Sequence, residues 1–153
     1  MHNTLIVANR TVGGDELAEE VRRRVELGDV RFHLVVPVTS PVASAVAIGT
    51  AVGNAANISP TSSYEVVDER RVARDRLSYG LEWLESLGAD GTGELSTECD
   101  TAGDVARIVE AHAIDDVIVS TLPTTISRWL HQDLPHRIER RVHLPVTVIS
   151  GTA

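Results

Sequence analysis

Short runs of almost uninterrupted apolar, mostly β-branched residues constrain this chain most. Leu5-Ile6-Val7-Ala8, Phe32-His33-Leu34-Val35-Val36 and Asp116-Val117-Ile118-Val119-Ser120 do not alternate polar with apolar. A strand of this kind has both faces covered, which is the situation of a parallel strand packed between helices. A fourth run, Val146-Thr147-Val148-Ile149, lies near the end of the chain, and a weaker one is Gly93-Glu94-Leu95-Ser96-Thr97. Parallel neighbours need crossover connections, and the segments between the runs carry helical periodicity. The implied architecture is an open α/β sheet with right-handed crossovers. Ligands of such sheets bind outside the carboxyl ends of the strands, where the strand order reverses. The positions to inspect are therefore Asn9 to Thr11, Pro37 to Thr39 and Ser120 to Thr124.

The helical segments can be placed with some detail. Asp15 to Leu27 puts Ala18, Val21 and Val25 on one face, pairs Glu19 with Arg23 and Glu20 with Arg24 at four-residue spacing, and stops at Gly28. Glu65 to Leu87 carries Val66, Ala73, Leu77, Leu81 and Leu84 on one stripe. Gly103 to Ala113 carries Val105, Ile108, Val109 and His112, with Thr101 as cap. The last helix is expected over Leu134 to Val142: Pro135 is best tolerated in a first turn, which makes Asp133 the N-cap.

Composition removes several functions. All 14 basic residues are Arg, so no Schiff-base Lys and no P-loop Lys exists. Cys99 is the only cysteine, which excludes an internal disulfide, and Glu98 and Asp100 beside it disfavour a reactive thiolate. A net charge of −8 and five scattered aromatics argue against a nucleic-acid binder. No G-x-S-x-G elbow supports a hydrolase triad. His131, Asp133 and His136 are close in sequence, but Pro135 between them argues against a shared helix face, and no metal site is expected; His112 reads as a packed or half-exposed histidine rather than a ligand. The acidic excess is uneven. Glu82 to Asp116 holds ten acids and one Arg, whereas Val117 to Ala153 holds four Arg and two acids.

The length fits a single domain over 1–153. Met1 to Arg10 has no secretory pattern, so a cytoplasmic protein is expected. No charge occurs between His33 and Glu65. Nine of the 21 residues from Val38 to Ile58 are Ser, Thr, Asn, Gly or Pro, which excludes a membrane helix and reads as a long loop at about 38–60.

Taken in order, these segments resemble universal stress protein domains. The carrying pieces are Leu5-Ile-Val-Ala-Asn9, Val35-Val36-Pro37, Cys99-Asp-Thr-Ala-Gly-Asp-Val-Ala-Arg-Ile108, Asp116-Val-Ile-Val-Ser-Thr121 and Leu144-Pro-Val-Thr-Val-Ile149, together spanning almost the whole chain. The resemblance implies a Rossmann-like, adenine nucleotide alpha hydrolase-like fold: an open five-stranded parallel sheet of order 3-2-1-4-5. It also implies a stress-response role and often a homodimer joined through the last strand.

Nucleotide-binding members of that family look like G-x-x-G-x(9)-G-[S/T] after strand four. Here the motif falls on Ser120, Pro123, Asp133 and Leu134, so all three glycines and the final hydroxyl are replaced. Glycines let backbone N–H groups approach phosphate; Pro123 removes a donor, and a capping Asp133 would place a carboxylate where a phosphate would dock. Asn9 stands where the family often has an acidic residue against adenine, and its amide can still read a base edge. Only Arg10, Arg128 or Arg137 is placed to offset the carboxylate. The expectation is a regulatory or interaction domain with no catalysis of its own, no cofactor and no strong ATP binding. The alternative is an adenine-nucleotide module, for AMP or ATP, with Asn9, Val36, Pro37, Ser120 and Thr121 around the nucleoside and Pro123 and Asp133 as the vestigial phosphate side. A protein partner fits the first reading; neither nucleic acid nor a membrane fits either.

Overall fold

The structure is a computed structural model that describes residues 1–38, 61–96, 101–121 and 128–151, with helix backbone alone for 61–68 and 128–133. Its elements alternate: β1 (His2–Val7), α1 (Asp15–Leu27), β2 (Val30–Pro37), α2 (Thr61–Ser86), β3 (Asp90–Ser96), α3 (Thr101–His112), β4 (Asp116–Thr121), α4 (Arg128–Val142) and β5 (Val146–Ser150). The five strands form one parallel sheet of order β3-β2-β1-β4-β5, as expected. Nearly all of the expected 38–60 loop lies outside the described residues. Its first residue, Val38, continues the β2–β3 ladder, its N–H donating to Ser96 O at 2.8 Å.

Two cores explain why the strands read as continuous apolar runs. Successive side chains of a strand point to opposite faces. Ile6, Ala8, Phe32, Leu34, Val36 and Ile118 meet Leu17 and Val21 of α1 and Ala73 and Leu84 of α2. Leu5, Val7, Val35, Val117 and Val119 meet Ala102, Val105 and Ile108 of α3 and Ile138 of α4 on the other face. A helix pair covers each face, so both faces of the three central strands are mostly apolar. Gly93 shows how close the covering is: a Cβ there would lie 2.7 Å from both Leu34 O and Leu77 Cδ1.

Two expectations about helix ends are corrected. The last helix starts at Arg128, so Asp133 lies inside α4 and is not its N-cap; the expected fixed carboxylate at that helix N-terminus is withdrawn with it. Pro135 is tolerated inside because it is buried and because Leu134, Ile138 and Val142 pack against the core, and this burial outweighs one missing N–H donor. Thr101 is the first residue of α3 rather than a flanking cap. On α1, Arg24 pairs with Glu20 as expected, but Arg23 also turns to Glu20, at 2.6 Å, three residues back.

The amino end of the β1–β4 pair is closed by charge. Asp116 accepts from Thr4 Oγ1 at 2.7 Å, lies 2.9 Å from His2 Nε2 and is paired with Arg24, which also binds Glu20. Burial pushes the Asp116 carboxyl up. The Arg24 and Thr4 hydrogen bonds and the Arg24 charge outweigh that, leaving the net pKa below the usual carboxylate value.

Candidate functional site

Strand order reverses between β1 and β4, so their carboxyl ends flank the expected ligand crevice. The structure brings Asn9, Pro37, Ser120 and Thr121 to this end, each just beyond or at the end of its strand. Val36 is also there, but fully buried in the core between sheet and helices. Pro123 lies outside the described residues, as does the side chain of Asp133.

The polar groups expected to meet a nucleoside are engaged with one another. Asn9 Nδ2 donates to Pro37 O at 3.1 Å, and Asn9 Oδ1 accepts from Arg76 of α2. Both ends of the amide are therefore used within the protein. Ser120 Oγ donates to Thr11 Oγ1 at 2.7 Å, and Thr11 Oγ1 in turn faces Ser120 O at 3.3 Å; both side chains are buried. This hydroxyl pair ties the loop after β1 to the end of β4. Thr121 O accepts from the Gly151 N–H at 2.8 Å, which joins the β4 end to the end of β5.

The loop after β1 is shaped by tight turns. Val12 N–H donates to Asn9 O and Gly14 N–H to Thr11 O, and Gly13 takes φ +85° with Tyr79 of α2 packed where a Cβ would stand, 2.7 Å from its Oη. Only glycine fits both the backbone angle and that contact. α1 then begins without a side-chain cap, and Asp15 and Glu16 occupy its first turn. Those carboxylates already complement the positive end of the helix.

Arg76 is the residue that sequence reasoning missed. It lies in α2, far along the chain from Asn9, and no motif marks it. Burial first and the charge of Arg10 second hold its pKa below an arginine's ordinary value, so the two guanidiniums feel one another. Neither has a carboxylate partner among the described residues. Arg10 was anticipated from its place after β1; Arg76 needs the fold to bring α2 over the strand ends. Two unneutralised guanidiniums at a strand-end crevice can hold an anion.

A surface hollow lined by His136, Glu139, Arg140 and His143 sits at the C-terminal end of α4, the opposite end of the sheet from the crevice. Among the described residues, one group brings together possible metal ligands, His33, Glu94 and His112 on the α3 face of the sheet. No described helix is long and apolar enough to cross a membrane.

No protein-family model matches the chain, and no curated protein does. Solved structures match it by fold. A universal stress protein from Archaeoglobus fulgidus is 11% identical, with a TM-score of 0.62 over 97% of this chain and 93% of that one. A universal stress protein family protein from Arabidopsis thaliana, solved with AMP bound, is 15% identical, with a TM-score of 0.59 over 100% of this chain and 94% of that one. One from Burkholderia pseudomallei is 18% identical, with a TM-score of 0.59 over 96% and 94%. A universal stress protein from Archaeoglobus fulgidus solved in complex with dAMP matches with a TM-score of 0.57 at 12% identity over 97% of this chain and 98% of that one.

Proposed function

We propose that this chain, which has the fold of the universal stress proteins, is a regulatory or interaction domain of that family acting in the stress response, without catalysis of its own and without strong ATP binding. One observation carries the reading: the Asn9 and Ser120 side chains at the crevice are engaged inside the protein. Asn9 is bound at both ends by Pro37 O and Arg76, and Ser120 is bound to Thr11. A base or phosphate entering there must first displace those bonds, and a displaced buried polar group costs about 1–3 kcal/mol. The replaced glycines of the strand-four motif, Pro123 among them, point the same way. Native mass spectrometry of the purified protein and calorimetry with Mg-ATP test this. The expected outcome is no co-purified nucleotide and no tight signal; a tight, Mg-dependent ATP titration overturns it.

A second reading is an adenine-nucleotide module, and Arg10 with Arg76 is the observation in its favour. Its ligand is AMP rather than ATP, because one phosphate suffices for two guanidiniums. Proteins of this fold have been solved with AMP and with dAMP. Asn9, Val36, Pro37, Ser120 and Thr121 would surround the nucleoside. Calorimetry with AMP separates the two: binding by the native chain that Arg76→Ala abolishes establishes the second reading.

The same proposal makes the protein a cytoplasmic homodimer joined through β5, open to a protein partner. β5 is a terminal strand of the sheet, and its Val148 is 53% exposed. An exposed edge strand with an apolar side chain is a pairing surface. Val148→Asp should convert a dimer to a monomer in light scattering while leaving stability within about 0.5 kcal/mol, as exposed substitutions do.

A further inference from the structure

His33 is out of place where it sits. It lies in β2 between Phe32 and Leu34, two residues from Val35, and is only 6% exposed. Its Nδ1 is 2.7 Å from Thr92 Oγ1, directly across on β3. Its other nitrogen, Nε2, is buried and has no hydrogen-bond partner among the described residues. Buried polar atoms nearly always find a partner, and an orphaned one asks for an explanation.

Two further donors surround the same ring. His112, at the end of α3, stacks on His33 with centroids 4.2 Å apart and planes 25° apart. Glu94 follows Thr92 by two residues on β3 and so shares its face. One donor atom each from His33, Glu94 and His112 lies within 4.8 Å of the others. The three come from β2, β3 and the end of the α3 crossover.

We propose that His33, Glu94 and His112 form a binding site for a divalent transition-metal ion of the Zn2+ class, with a fourth position open to solvent. Two imidazoles and one carboxylate are the donor set such an ion prefers. Thr92 on Nδ1 is the outer partner that fixes the ring and leaves Nε2 as the ligating nitrogen.

The geometry needs a small adjustment. Metal–ligand distances of about 2.0–2.1 Å place tetrahedral donor atoms about 3.4 Å apart. His33 is fixed in the sheet, so His112 and Glu94 must move. His112 is exposed and has only to swing off the stack, since an imidazole lone pair lies in the ring plane. Glu94 now lies 3.1 Å from an Arg107 amino group, but Arg107 also holds Asp104 at 2.7 Å and can remain there when Glu94 turns. The bound ion would pin the end of α3 to the open β3 edge of the sheet. The site is on the α3 face and is independent of the strand-end crevice and of the function proposed for it.

Calorimetry of the tag-free full chain with ZnCl2 tests the proposal, alongside thermal unfolding with and without the ion. The native chain should bind one Zn2+ and gain thermal stability by linkage. His112→Ala removes an exposed ligand without disturbing the core and should weaken binding at least about tenfold, and Glu94→Gln should do likewise. The double variant His136→Ala, His143→Ala, at the α4 hollow, should bind as the native chain does. Absence of binding to the native chain overturns the proposal. So does binding that His112→Ala and Glu94→Gln leave unchanged, or binding that the double variant alone abolishes.

Discussion

At the amino end of the β1–β4 pair, Arg24 meets Asp116 and Glu20, with Thr4 and His2 completing the bonds of Asp116. At the carboxyl end of the same two strands, Arg10 and Arg76 feel each other's charge, and among the described residues Arg76 is bonded only to a neutral amide. One end has its charges matched and largely covered: the side chains of Arg24 and Asp116 are 12% and 11% exposed. The other has cations in surplus around a framework of small polar contacts. Matched charges out of water fix a structure, because separating them leaves one uncompensated. Surplus cations near solvent do little for stability and leave attraction for an anion unspent. The difference places matched, stabilising charge at one end and unmatched cations, the feature behind the proposed nucleotide alternative, at the other.

The largest expected effect breaks the first end. Asp116→Ala leaves Arg24 with Glu20 as its one carboxylate partner among the described residues and should cost about 2–3 kcal/mol, read from urea unfolding. Arg76→Ala at the second end should cost under about 1 kcal/mol, because a single hydrogen bond to an amide is lost. Equal losses would erase the contrast. Next is Gly13→Ala, in the loop that shapes the second end. Its positive φ and the contact with Tyr79 both oppose a Cβ, and a loss of about 1–2 kcal/mol should appear in the same unfolding curves.

Acid should act on the first end. The pKa of Asp116 is lowered in the fold, and so is that of Glu20, through the Arg23 hydrogen bond first and against the opposing effect of burial. A carboxylate with a depressed folded pKa adds stability that is fully present above its unfolded value and is lost as pH falls through the folded one. Stability should therefore hold near neutral pH and decline as pH drops below about 4. Asp116→Asn should make that decline shallower in pH-dependent thermal scans. An unchanged slope would remove Asp116 from the account. The smallest effect concerns the second end: millimolar inorganic phosphate should raise the thermal midpoint of the native chain slightly, and the double variant Arg10→Ala, Arg76→Ala should lose that response.

Much of the fold was legible in the chain. Runs such as Leu5 to Ala8 and Phe32 to Val36 announced strands covered on both faces, and the five-stranded order 3-2-1-4-5 followed from the resemblance these runs carry. Strand ends were less legible. β1 begins at His2 and β3 at Asp90, because backbone pairing to β2 extends through polar residues that hydropathy passes over. α4 starts at Arg128 rather than at the expected Leu134 for a related reason. A local rule about proline was outweighed by the burial of Ile138 and its neighbours, which no window of sequence contains.

The candidate site divides in the same way. Asn9, Pro37, Ser120 and Thr121 were found at the carboxyl ends because α/β topology fixes where strand ends lie. What those residues do there was not legible. Asn9 is bound by Pro37 O at one end of its amide and by Arg76, 67 positions away, at the other. Likewise, the sequence places His33 in an apolar strand and His112 as a packed or half-exposed histidine, and says nothing of the stack that joins them across β2 and α3.

Sequence by itself determined the strands, the helices between them, the location of the crevice and the exclusion of lysine chemistry, since each depends on residue type and short-range period. Only the tertiary structure decided which guanidiniums are matched, which amide is already bonded and which imidazole nitrogen is left without a partner. Those are properties of distance and desolvation, and both are set when elements far apart in the chain are packed together.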